Sequence, residues 1–151
     1  MFLLTSLEGG VMREVPFEAI HIDEMPEPKY EKKPGDTDWR PIRIHFGISS
    51  FGANGFTAQQ GQALVGEHRE TEESGTRHEE LYFVSKGNAT FTIEGEDIAA
   101  PAGTFVYVPD PDALRSAVAL EDDTTVLCFG GTPGEAFGVS EWERKYDPAE
   151  S

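Results

Sequence analysis

The residues best equipped for chemistry fall in two short runs, His68-Arg69-Glu70 and His78-Glu79-Glu80, the second leading into Leu81-Tyr82-Phe83-Val84. Imidazole and carboxylate groups hydrogen-bond polar ligands, and their nitrogen and oxygen atoms are the ligands that divalent transition metals accept. In an extended strand, side chains two apart face the same side, so His78, Glu80 and Tyr82 share a face. Tyr82 then points inward, either as pocket-lining aromatic or as ordinary core. Arg115 is placed to reach an anionic ligand in that pocket or to pair with one of the many acids. Plainer roles stand beside these. Glu80 can hydrogen-bond to Arg77 or Arg115 at the strand mouth, His68 can be one exposed member of a charged loop, and His78 can be an orienting donor. His45, between Ile44 and Phe46, is expected to face outward or to fill a strand face, and His21 to lie outside the site.

The elements that must carry these groups read as β. From Trp39 onward Ile42, Ile44 and Phe46 alternate with Arg43 and His45, a period of two that predicts a strand. Further strands are expected at 56–58, 63–65, 79–85, 89–94, 97–100, 104–108, 114–120 and 124–129. Turn signals separate them, among them Gly87-Asn88, Glu94-Gly95-Glu96 and Pro109-Asp110-Pro111-Asp112. Residues 66–77 form a polar, acidic loop. Phe83, Phe91 and Phe105 are expected to pack in the core, and Gly130-Gly131-Thr132-Pro133-Gly134 to form a turn after the last strand. Ser140-Glu141-Trp142-Glu143 fits a capping box and predicts a short terminal helix. Many short strands at regular spacing, with no internal repeat, define one all-β sandwich or barrel.

Two stretches carry a family resemblance. Glu80-x6-Gly87, filled by Leu81, Tyr82, Phe83 and Val84, resembles the end of the first cupin motif, G-x5-H-x-H-x3,4-E-x6-G. Gly103-x5-Pro109 resembles the start of the second, G-x5-P-x-G-x2-H-x3-N, and fifteen residues separate Gly87 from Gly103. The resemblance covers about residues 60–130. It implies a cupin-type double-stranded β-helix, or jelly-roll barrel, of two packed sheets with a pocket between them. The expected organisation is an extension and linker over 1–38, the barrel over 39–139, and a short helix and tail over 140–151.

The motif histidines are largely missing. Their first-motif positions fall within Glu73, Ser74, Gly75 and Thr76, and in the second motif Pro111, Leu114 and Val118 replace the Gly, His and Asn. Aligning Gly95-x5-Pro101-x-Gly103 instead puts Val106 at the histidine. Of the usual ligands only Glu80 is in place. His68 and Glu70 resemble a displaced first pair, so His68, His78 and Glu80, with Glu70 in reserve, would make a two-histidine, one-carboxylate site for one divalent ion (Fe, Mn, Ni, Cu or Zn). The resemblance therefore implies a barrel that binds a small molecule with a degenerate or absent metal site. The alternatives are a metal-dependent isomerase or dioxygenase-like enzyme, and a structural or interaction module. It also implies a homodimer, with the extended segment 13–48 able to cross to a partner.

Composition narrows the partners. A formal charge of −16, from 28 acids against 12 Lys and Arg, supplies no basic stripe for nucleic acid or an anionic membrane. Cys128 is the single cysteine, so no intrachain disulfide forms; within Thr125-Val126-Leu127-Cys128-Phe129 it reads as a small buried residue. Met1-Phe2-Leu3-Leu4 is too short and lacks the basic start of a signal peptide, and no stretch reaches membrane-spanning length. The expected location is the cytoplasm. Residues 1–11 are expected to be a poorly ordered extension.

Overall fold

The computed structural model describes residues 5–8, 11–14, 16–29, 32–71 and 76–150. A β1–β2 hairpin (Thr5–Glu8 and Val11–Glu14) comes first, then β3 (Asp38–Arg40) and a five-residue helix α1 (Ile42–Phe46). The barrel strands follow as β4 (Gly52–Ala58), β5 (Ala63–His68), β6 (Glu79–Lys86), β7 (Asn88–Ile93), β8 (Glu96–Pro101), β9 (Phe105–Val108), β10 (Arg115–Ala119) and β11 (Thr124–Gly131). A four-residue helix α2 (Glu141–Arg144) lies beyond them.

Two antiparallel sheets build the barrel, one in the order β3-β4-β11-β6-β9 and the other β5-β10-β7-β8. The alternation legible in the sequence is what closes it. On β6 Tyr82 and Val84 are buried, on β11 Val126 and Cys128, and on β9 Val106 and Val108. They meet Leu64 and Val65 of β5, Phe91 of β7 and Ala117 and Ala119 of β10 in one core. The turn between β6 and β7 needs Gly87, whose φ of +82° is one that L side chains rarely adopt and whose missing Cβ would lie 2.8 Å from Thr124 Cα.

Several expectations are corrected. Residues 42–46 are helical, not a strand. Pro41 occupies the N-cap position, Gly47 ends the helix in the left-handed conformation at φ +69°, and the buried side chains are the polar Arg43 and His45. His45 therefore neither faces outward nor fills a strand face: its Nε2 is 2.9 Å from Glu18 Oε1. The terminal helix is present, but Ser140 makes no side-chain cap and Glu143 instead accepts from Arg43 Nε at 2.8 Å. Residues 5–8 and 11–14 pair as a hairpin where a poorly ordered extension was expected over 1–11; residues 1–4 and 9–10 of that stretch lie outside the described residues. Gly130 and Gly131 belong to β11. Phe91 is core, whereas Phe83 and Phe105 stack on one another outside the sheet at 4.5 Å, with Phe105 63% exposed. Their parity is opposite to that of Tyr82 and Val106, which turns them outward.

Candidate ligand pocket and its buried charge cluster

Four strands deliver the candidate site. Glu80 stands near the start of β6 with Tyr82 two residues on; His68 ends β5, and Glu70 follows it, anchored by its backbone N–H to Pro111 O at 2.9 Å. Arg115 begins β10 directly across from His68, and Cys128 of β11 lies across from Tyr82. Gly130 is the residue opposite Glu80. A Cβ there would sit 3.0 Å from Glu79 O and 3.5 Å from Glu80 Cγ, so the glycine leaves the carboxylate its room.

Glu80 is the hub. Its Oε1 accepts from Tyr82 OH at 2.5 Å and Arg115 Nη1 at 3.0 Å, and lies 3.5 Å from His68 Nε2. Its Oε2 accepts from the Cys128 thiol at 3.1 Å. The histidine is held at both nitrogens. Nδ1 faces Gly66 O at 2.7 Å and Nε2 faces Glu70 Oε1 at 3.2 Å, so both positions meet acceptors and the ring is an imidazolium. Burial opposes that charge, but hydrogen bonds to Glu70 and Glu80 raise the imidazole pKa to about 10. Burial likewise opposes a charged Glu80, yet donation by His68, Tyr82 and Cys128 lowers its pKa to about 2. Burial, with the Glu80 charge beside them, pushes the Tyr82 phenol and the Cys128 thiol well above their usual range.

Above this cluster opens a cavity of about 380 Å³. His68, Glu70, Glu80 and Tyr82 form its polar end; Phe56, Leu64 and Val65 form an apolar wall, and Trp142 of α2 closes one side. Trp142 packs on Trp39 at 5.1 Å, and Trp39 Nε1 donates to Asn54 Oδ1 at 2.9 Å.

The sequence-level candidates separate here. His68, Glu70 and Glu80 come together, with one ligand atom from each within 4.8 Å of the others. His78 does not join them. It shares the face of Glu80, since its Cβ would lie 3.7 Å from a Cβ on Gly130, but its ring stacks on Phe137 at 5.1 Å. It is 5% exposed, and its Nε2 has no hydrogen-bond partner among the described residues. Tyr82 lines the cavity. Arg115 does not: its guanidinium is fully buried behind Glu80. Sequence reasoning missed Trp142 and Asn54 as wall residues. Asn54 sits in no motif, Trp142 only in the capping-box stretch 140–143, which signals a helix and not a pocket, and only the long-range fold brings them to the mouth; the Cys128 contact was within reach of strand pairing, being the partner of Tyr82.

The three donors do not fit a metal ion as they are arranged. Glu80 Oε1 already faces three donors and Oε2 a fourth, so its lone pairs are committed. His68 presents protons, not a lone pair, and a buried guanidinium stands beside the carboxylate.

No protein-family profile matches the chain, and no curated protein matches it. Solved structures do. KdgF from a Halomonas species is 23% identical, with a TM-score of 0.53, over 67% of this chain and 83% of that one. A cupin protein from Bacteroides fragilis is 21% identical, TM-score 0.53, over 77% and 93%. A sugar phosphate isomerase of the cupin superfamily from Silicibacter pomeroyi is 17% identical, TM-score 0.59, over 77% of each chain. The protein has the cupin fold. At these identities the likeness is one of fold. No helix among the described residues is long and apolar enough to cross a membrane.

Proposed function

We propose that this cupin barrel binds a small polar organic molecule without the help of a metal. One observation carries the reading: a cavity of about 380 Å³ sets His68 and Glu70 at one end against Phe56, Leu64 and Trp142. That combination of an apolar wall and a few convergent polar groups is how small-molecule sites are generally built. The same cavity weighs against a purely structural module, whose barrel would be filled. The Glu80 cluster forms a rigid floor, because each of its hydrogen-bonding groups already has a partner.

Small molecules screened by thermal shift, as separate sets of neutral polyols, carboxylates and amines, test the reading. Any binder should raise the melting temperature of the wild type, and Trp142→Ala or His68→Ala should reduce that rise. A binder whose effect survives both substitutions would place its site elsewhere.

The metal-dependent isomerase or dioxygenase reading has one observation in its favour, the 4.8 Å grouping of His68, Glu70 and Glu80. Near-stoichiometric iron, manganese, nickel, copper or zinc in protein purified without chelator, lost in Glu80→Ala, would establish it over the first. One of the fold neighbours is a sugar phosphate isomerase, so sugar-derived compounds belong in the screen. The homodimer also stands as a proposal, supported by Phe105 and Tyr107 exposed on the edge strand β9; sedimentation over a range of concentrations tests it.

A further inference from the structure

The strand β10 places Arg115, not a metal ligand, across from His68, and this residue is built in with unusual completeness. It is 1% exposed. Its Nε donates to Ala113 O at 3.1 Å, Nη1 to Glu80 Oε1 at 3.0 Å, and Nη2 to Asp110 O and Ala113 O, both at 2.9 Å. The loop between β9 and β10 thus wraps its carbonyls around the guanidinium and aims the remaining edge at the carboxylate. Arg115 and Ala117 are both buried, so this is the face of β10 that looks into the barrel; Leu114, one residue earlier, spends its backbone N–H on Glu94 Oε1 at 3.1 Å.

Charge balance gives the arrangement its meaning. Two carboxylates, Glu70 and Glu80, face two cations, the doubly hydrogen-bonded His68 and Arg115, and the cluster is neutral. A divalent ion entering between His68 and Glu80 would expel one proton and leave the buried cluster with a net positive charge. It would also have to compete with Tyr82 and Arg115 for Glu80 Oε1, or with the Cys128 thiol for Oε2. Like charges held this close in a low-dielectric interior repel strongly.

We infer that Arg115 is the resident cation of this barrel: it stands in the electrostatic place of a metal ion, fixes Glu80, and keeps divalent ions out. The inference rests on the metal-independent reading above but goes beyond it, because it assigns the exclusion to one side chain. It makes Arg115 a positioning residue, and its signature is a gain of metal binding when the charge is removed.

The test is Zn(II) affinity by chelator competition, with Co(II) visible absorption as a second readout, on wild type, Arg115→Gln and Arg115→Lys. Wild type and Arg115→Lys should take up no stoichiometric metal, whereas Arg115→Gln should bind roughly 10- to 100-fold tighter than wild type. Stoichiometric metal on the wild type overturns the inference and the metal-independent reading together. A folded Arg115→Gln with no gain overturns the inference alone and leaves small-molecule binding standing. An Arg115→Gln protein that folds only with Zn(II) supports it. If that variant stays unfolded even with Zn(II), Arg115→Lys decides: folded and metal-free supports the inference, folded and metal-loaded overturns it.

Discussion

Arg43 and Glu143 are a hundred residues apart in the chain and 2.8 Å apart in space, and both are almost fully buried. Asp147 completes the clasp at Nη2. This interaction ties α2, and Trp142 with it, to α1 and the barrel wall. Removing one partner of a buried pair strands the others, so Arg43→Met should destabilise the protein by roughly 3–5 kcal/mol. Chemical denaturation checks the size, and a change in tryptophan fluorescence before global unfolding would show the Trp39–Trp142 contact loosening first. An Arg43→Met protein as stable as wild type, with unchanged fluorescence, would refute the clasp.

Acidity should act on the Glu80 cluster from both sides. Glu80 has a pKa lowered from 4.5 to about 2, so its contribution to stability is complete above 4.5 and disappears as pH falls through 2. His68 has a pKa raised from 6.5 to about 10, so its contribution is complete below 6.5 and disappears as pH rises towards 10. The cluster is therefore most stabilising between about pH 4.5 and 6.5, and His68 remains charged through neutrality. Nitrogen-15 NMR of the ring nitrogens reads this directly; a titration of His68 near 6.5 would contradict the geometry described.

Tyr82→Phe removes the 2.5 Å donor to Glu80 without emptying the core. Hydrogen bonds to charged groups contribute about 1.5–3 kcal/mol, and a loss of that size is expected in denaturant midpoint experiments. The same variant should raise the apparent pKa of Glu80, because one of the groups holding it charged has gone. If stability and the acid limb of the pH profile both stay unchanged, the hydroxyl contributes nothing.

Gly87→Ala is a harsh single-methyl change, with the closest approach among the glycines whose surroundings are described. The residue sits at φ +82°, and the added Cβ would meet the Thr124 backbone, which has no flexible end to swing aside. The left-handed conformation and the overpacking together should cost about 2–4 kcal/mol. Gly95→Ala, at the same φ but with open space around it, is the control and should cost only the conformational part.

The barrel was legible because its signal is local. Alternation along 79–85 and 124–129, and glycine at the turns, state strand, face and boundary in consecutive residues, and Glu80 to Gly87 carries the fold's rhythm. Residues 42–46 misled because the buried set there is Arg43 and His45: their partners lie at Glu143, Asp147 and Glu18, and no local pattern announces a buried ion pair. The site was legible only in part. Parity correctly put His78 and Glu80 on one face, but it says nothing about Phe137, which holds the imidazole by stacking. Pairing of β10 with β5 places Arg115 opposite His68, a relationship between residues 47 positions apart that depends on the register of two strands.

The docking of α2 also decides which part of the pocket can be lost without touching the sheets. Every strand from β4 to β11 precedes Trp142 in the chain, so the wall that α2 adds to the cavity comes from residues outside both sheets. The sheets and the completed pocket therefore draw on different parts of the chain. A chain clipped before α2 would keep every strand of both sheets and lose the side of the cavity that Trp142 forms.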